Sequence, residues 1–320
     1  MAWNLNNPIW LSIGTTLWVL LSLYWYAYKS HWAVIDHPGE RSSHQHQALT
    51  GAGLLVFLPL CLVALWHSPQ SVAVYSMLGL TLLGFADDKY DLSFQIRLAV
   101  QTGLAAVLLL SFGLFQANLL TVFLLLALLW WINLFNFMDG INGMAVFHAW
   151  VILLFSGWFY TLSLELGFLI QTALLLLVVF AVFNVVLKKL FMGDSGSLPL
   201  AWLLAIVALY GLVTGQLNMA QIATIHAVFI ADATFTLLRR FRQREQITQA
   251  HATHLYQRLV KSGFSHASVS AVYAMLTASL CGVVWLTAGE TELTHVLVCG
   301  LTYLLLWVIF LLTLSVKRTE

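Results

Sequence analysis

Charge is what this sequence has least of. Only 8% of its 320 residues are charged while 61% are hydrophobic, about a third of the charge density of an ordinary soluble domain. That balance excludes a soluble globular protein and points to the membrane. Cysteine is scarce too: Cys61, Cys281 and Cys299 all lie inside apolar runs, an odd set that argues against a disulfide framework and a thiolate metal cluster. No Pro-, Ser- or Gly-rich linker marks off a separate soluble domain. Alternating strand periodicity is missing, which argues against a membrane β-barrel. A net charge of +1 gives no bulk attraction to nucleic acid. The opening MAWNLNNP lacks the positive segment of a cleavable signal peptide, so the first apolar run is expected to be retained as a span.

What is abundant is hydrophobic runs. Eleven are long enough to cross a hydrocarbon core, at roughly 9–28, 51–67, 70–86, 98–115, 118–135, 144–163, 167–187, 199–214, 217–238, 268–288 and 294–315. The expected fold is therefore an all-α polytopic integral membrane protein of about eleven transmembrane helices, one domain over 1–320. All 14 lysines and arginines follow odd-numbered helices: Lys29 and Arg41; Lys89 and Arg97; Lys188 and Lys189; Arg239, Arg240, Arg242, Arg244, Arg258 and Lys261; Lys317 and Arg318. By the positive-inside rule the odd loops and the C-terminus are cytoplasmic and the N-terminus is outside.

The polar chemistry has the same parity. Five loops, at about 29–50, 87–97, 136–143, 188–198 and 239–266, carry DHPGERSSHQHQ, ADDKYDLSFQIR, NFMDGING, KKLFMGDSGS and RRFRQREQITQAHATHLYQRL. The loops on the other side hold only Glu165, Glu290 and Glu292. Asp87 and Asp88 are adjacent, so on a helix their side chains diverge by about 100° and each needs partners from another loop. Asp139 and Asp194 are flanked by glycines, which let a phosphate or metal approach the backbone. One or two such carboxylates, completed by phosphate oxygens and water, suit a hard divalent ion, magnesium or alternatively manganese. GDSGS also occurs in serine hydrolases, but no base lies near Ser195 in the sequence. The acids together make an inventory for phosphoryl transfer.

The ordered motifs resemble the polyprenyl-phosphate sugar-1-phosphate transferases, which move an N-acetylhexosamine 1-phosphate from a UDP-sugar onto a lipid phosphate. The matched positions are the double Asp at 87 and 88, NLFNFMDGING at 133–143, MGDSGS at 192–197 and HATHLYQRL at 251–259, and the resemblance covers about 36–264. It implies a magnesium-dependent enzyme, releasing UMP, at the cytoplasmic face of a bacterial inner membrane. It also implies metal ligation by Asp194 with Asp139 close by, and catalytic roles for Asp87, Asp88 and Asp139. Substrate contacts would come from Asp36, Arg41, His44, Asn133, Asn136, Asn142, Gly193, Ser195, His251, His254 and Arg258. Asn142 stands where many members carry a second Asp, so it is expected to touch diphosphate or sugar rather than metal.

AHATHLYQRL and the set Asp36, Pro38, Arg41, Ser42, Ser43 and His44 are similar to the branch that starts O-antigen and other surface glycans, some of whose members use 6-deoxy-N-acetylhexosamines. The implied partners are a UDP-N-acetylhexosamine, undecaprenyl phosphate, membrane lipids and a second copy in a homodimer, with no nucleic acid. Direct attack on the sugar-linked phosphorus needs only positioning and charge neutralisation and is favoured over a phospho-enzyme. A transporter or flippase of lipid-linked sugars is the competing reading; it would place ionisable groups near the bilayer midplane. Zinc at His251 and His254 lacks a third ligand at zinc spacing. Asp232, about two turns inside the ninth span, needs a partner within the bundle. His148, His226 and Asn184 are expected to hydrogen-bond between helices, and tryptophans such as Trp3, Trp10, Trp32, Trp66 and Trp158 to line the membrane interfaces.

Overall fold

The computed structural model describes residues 8–30, 34–36, 48–245 and 252–315. Helix α1 (Pro8–Tyr28) is followed by an antiparallel pair, β1 (Val34–Asp36) and β2 (Ala48–Thr50), with Val34 opposite Thr50. Then come α2 (Gly53–His67), α3 (Val72–Tyr90), α4 (Phe94–Ser111), α5 (Leu119–Met138) and α6 (Met144–Phe159). After α7 (Leu164–Ala181), which runs into a π turn (Val182–Val186), follow α8 (Asp194–Val213), α9 (Met219–Ile225), α10 (Ala227–Arg242), α11 (Leu255–Lys261), α12 (His266–Leu286) and α13 (Glu292–Ser315).

Every one of the eleven apolar runs is helical, the run 217–238 as the pair α9 and α10, bent by 79°. Fewer qualify as spans by their own length and composition. Seven do so: α1, α4, α5, α7 with its π turn, α8, α12 and α13; the bent pair makes an eighth. Helices α2 and α6 have 15 and 16 residues, and at a rise of about 1.5 Å per residue they fall short of a core about 30 Å thick. Helix α3 carries Asp87, Asp88 and Lys89 in its last turn.

Helix starts are written in the sequence. Ser71, Ser93, Asn118, Ser163, Asn218 and Ser265 each accept a backbone N–H from the first turn of α3, α4, α5, α7, α9 and α12, a cap that contributes about 1 kcal/mol. Helices α6 and α8 start differently, on Gly143 and Gly193 at φ +85° and +69°, with no side-chain cap of their own. Both of those starts border the acidic loops.

Helix α8 is the most buried span and α13 the least. Trp131 of α5 donates its indole N–H to the Ala201 carbonyl at 2.8 Å, and Trp202 donates to Ser76 Oγ of α3 at 2.8 Å. These two tryptophans are bundle fasteners, whereas Trp10, Trp66 and Trp158 face outward; Trp3 and Trp32 lie outside the described residues. His148 Nε2 sits 3.1 Å from His226 Nδ1, and its Nδ1 sits 3.1 Å from Thr277 Oγ1, tying α6 to α12 and to the bend before α10. Asn184, in the π turn, accepts from Gly143 N at 2.7 Å and donates to the Leu190 carbonyl at 2.8 Å.

Candidate active site

The start of α8 is set by backbones that touch. A Cβ on Gly84 would collide with the Asp194 carbonyl, and one on Gly53 with the Cα of Gly196. Glycine at these positions lets α2 and α3 meet the GDSGS turn without intervening side chains. Gly53 N also donates to the Met192 carbonyl at 2.9 Å. Asp88 then supplies the cap that Gly193 lacks: its two oxygens accept from Asp194 N at 2.8 Å and Ser195 N at 3.0 Å. A carboxylate at a helix N-terminus also meets the favourable end of the helix dipole. Gly193 has no room for a Cβ, whose place lies 2.6 Å from an Asp88 oxygen and 2.7 Å from Thr50 Oγ1. Thr50 is held there because Tyr26 donates its hydroxyl to the Thr50 carbonyl at 2.6 Å.

Asp87 faces the other way. Its carboxylate accepts from Leu92 N at 2.8 Å and from Arg97 Nη1 at 2.7 Å. The same Nη1 lies 3.6 Å from Asp194 Oδ2, so Arg97 of α4 stands between two acids from different loops. Asp91 closes α3 in a left-handed conformation, φ 50°, which turns the chain back for the Leu92 contact. Asn136, in the last turn of α5, donates to Asp194 Oδ2 at 3.2 Å and accepts from Ser197 Oγ at 2.8 Å. Its amide thus fixes both Asp194 and the first turn of α8. Asn133 is directed elsewhere: it donates to Gln101 Oε1 of α4 at 2.8 Å and to the Leu129 carbonyl. Ser195 likewise turns inward, to the Met192 carbonyl.

Asp139 caps the C-terminus of α5. No hydrogen bond reaches its carboxyl among the described residues. Burial, and then the charge of Asp88, push that carboxyl up to about 8. A group so placed takes up a proton or a cation. Beyond it, Asn142 donates its backbone N–H to His266 Nδ1 at 3.4 Å and is buried, with an amide oxygen that has no partner among the described residues. His254 begins α11; its imidazole stacks against Phe137 and Tyr256, and its Nδ1 lies 3.8 Å from Asp232. Arg258 donates to the Thr313 carbonyl of α13 at 2.7 Å. Arg41, His44 and His251 lie outside the described residues, as does the side chain of Asp36, whose backbone belongs to β1.

The five polar loops therefore share one end of the bundle. Asp87, Asp88, Asp194, Asn136 and Gly193 meet directly; Asp139, Asn142 and His254 line the adjoining side; Asn133 and Arg258 serve neighbouring helices. Sequence reading missed Arg97 as a site residue because nothing local relates it to Asp194, 97 positions later. It also missed Tyr256, whose hydroxyl donates to the Phe137 carbonyl at 2.8 Å.

No group of three or more His, Cys, Asp or Glu side chains forms a metal cage among the described residues. Magnesium needs no such cage, since it is commonly held by one or two carboxylates with phosphate oxygens and water. Asp194, oriented by Asn136, and the desolvated Asp139 fit that description.

Comparison with known proteins agrees with this reading. The family model for glycosyl transferase family 4 matches residues 70–212. The probable undecaprenyl-phosphate N-acetylglucosaminyl 1-phosphate transferase of Bacillus subtilis (strain 168) is 27% identical over 266 residues, 75% of this chain and 73% of that one. The undecaprenyl-phosphate alpha-N-acetylglucosaminyl 1-phosphate transferase of Thermotoga maritima is 27% identical over 71% of this chain and 74% of its own, and that of Escherichia coli (strain K12) 24% over 78% and 75%. The ordered motifs, the shared bundle end and these likenesses make the chain similar to the undecaprenyl-phosphate N-acetylglucosaminyl 1-phosphate transferases.

Proposed function

We propose that this protein transfers an N-acetylhexosamine 1-phosphate from a UDP-sugar to undecaprenyl phosphate, releasing UMP, at the cytoplasmic face of a bacterial inner membrane. An oxygen of the lipid phosphate attacks the sugar-linked phosphorus; the new P–O bond forms as the bond to UMP breaks, and UMP leaves with the electron pair. The observation that carries this reading is the meeting of Asp194, Asn136, Asp87 and Arg97 from four segments beside Asp139. Asp194 and Asp139 are the residues that would hold magnesium, and the ion would neutralise diphosphate charge as it shifts to the leaving group. Asn136 keeps the Asp194 carboxylate aimed. Arg97 supplies a guanidinium that pairs with phosphate as readily as with carboxylate. Asp88, with both oxygens engaged by α8 amides, acts by holding Asp194 in place, which favours direct attack over a covalent intermediate. An apolar cavity of about 330 Å³ between α5, α8, α9, α10 and α13 offers hydrocarbon surface for an isoprenoid chain.

The product starts a lipid-linked surface glycan such as O-antigen. UDP-N-acetylglucosamine, named by the sugar of the relatives, and UDP-linked 6-deoxy-N-acetylhexosamines are the donors to compare. Purified protein with undecaprenyl phosphate, magnesium and each donor should release UMP from at least one, and chelation should stop it. Absence of release from every UDP-N-acetylhexosamine, or undiminished turnover in all of Asp87→Asn, Asp88→Asn, Asp139→Asn and Asp194→Asn, overturns the proposal.

A further inference from the structure

Asp232 lies inside the bundle and belongs to none of the four motifs. We propose that Asp232 is a positioning residue: from α10 its carboxylate caps α11, and through Tyr256 it fixes the end of α5 that carries Asp139. Asp232 is almost fully buried, where an unsatisfied carboxylate is costly. Its Oδ1 accepts from Leu255 N at 2.7 Å, and its Oδ2 from Tyr256 N at 3.1 Å and from the Tyr273 hydroxyl of α12 at 2.7 Å. Leu255 and Tyr256 are the first two residues of α11, whose N–H groups have no partner within the helix. One carboxylate thus joins α10, α11 and α12 and sets where α11 begins.

The second half of the linkage is Tyr256. Its ring is wholly buried, and its hydroxyl donates to the Phe137 carbonyl, one of the last carbonyls of α5 and free of an intrahelical acceptor role there. A Cβ on Gly140 would collide with that hydroxyl, so the phenol lies directly against the residue after Asp139. A shift of the α11 start is therefore passed through a rigid ring to the backbone that aims Asp139. Neither Asp232 nor Tyr256 needs to touch substrate.

The inference rests on the transferase reading, and Asp232→Asn, Tyr256→Phe and the double variant test it. An amide at 232 presents an NH2 to an N–H of α11; phenylalanine at 256 removes the hydroxyl's ties to Phe137 and to the Gly140 N–H. Asp232→Asn and Tyr256→Phe should each lower kcat/KM for the UDP-sugar about tenfold while KM for undecaprenyl phosphate stays within about twofold, and the double variant should be no more than about twofold worse than the poorer single, because sites acting through one another are not additive. Hydrogen exchange of the 136–140 amides should rise in both single variants. Multiplied effects in the double variant, or Asp232→Asn within about twofold of wild type, overturn the inference. Should Asp232→Asn not fold, Tyr256→Phe decides: unchanged kcat/KM and unchanged exchange at 136–140 overturn it. A wild type that releases no UMP defeats the transferase reading instead, and the exchange at 136–140 then settles the positioning role by itself.

Discussion

Gly84 and Gly79 lie in the same helix and in different circumstances. A methyl group on Gly84 meets the backbone of Asp194, which cannot yield without moving the start of α8, whereas one on Gly79 meets the end of the Leu104 side chain at 3.1 Å. Gly84→Ala should therefore cost about 1–3 kcal/mol of stability and abolish UMP release, while Gly79→Ala should change each only slightly, as thermal unfolding and activity assays will show. The two adjacent acids separate in the same way. Asp88→Asn leaves two buried α8 amides competing for one oxygen, a loss of about 1–3 kcal/mol that unfolding measurements should register. Asp87→Asn should lose activity with a smaller change in stability, since Arg97 keeps Asp194 as a partner. At this scale the sequence shows which acids share the polar loops and is silent about what each one grips. The double Asp, the glycine-flanked Asp139 and Asp194 and the Asn ridge are visible as letters, but the pairing of Arg97 with Asp194 exists only once α4 and α8 are both packed against α3 and α5.

Helices were the most legible level, because apolar runs and Ser or Asn caps are local signals. Eleven runs gave eleven helices or helix pairs, with ends that moved by several residues. The bend at His226 was not legible: 217–238 has no proline or glycine to mark a break, and the 79° turn comes with His226 bonding to His148 of α6. Nor was the π turn, where Asn184 looks like any interhelical amide and in fact ties together two of the polar loops, through Gly143 N and the Leu190 carbonyl. Asn184→Ala should remove both links, lowering stability by about 2–6 kcal/mol, since each buried group left unpaired costs about 1–3 kcal/mol. The same variant should also slow UMP release. By contrast Asn118→Ala, at the distant end of α5, should cost only about 1 kcal/mol, with turnover per folded molecule unchanged.

For the molecule as a whole, the distribution of lysine and arginine gave a sidedness, and the five loops that it grouped do meet in space. Phe264, in the last basic loop, and Leu164, the first residue of α7, are both well exposed and should lie on opposite faces. A single cysteine at 264 should react with an impermeant maleimide only in inverted vesicles, and one at 164 only in intact cells; labelling of both from one side would require a different span count.

Arg97 has a consequence for how such an enzyme is inactivated. Acids crowded at one end of a bundle commonly depend on a bound cation for cohesion, but here the counter-ion is part of the polypeptide. Chelation should therefore silence the enzyme without loosening it: turnover lost in EDTA should return in full on restoring magnesium, with the melting temperature shifted by no more than a few degrees, whereas Arg97→Gln should make that temperature strongly dependent on the metal. Dormancy and denaturation are, in this architecture, separate events.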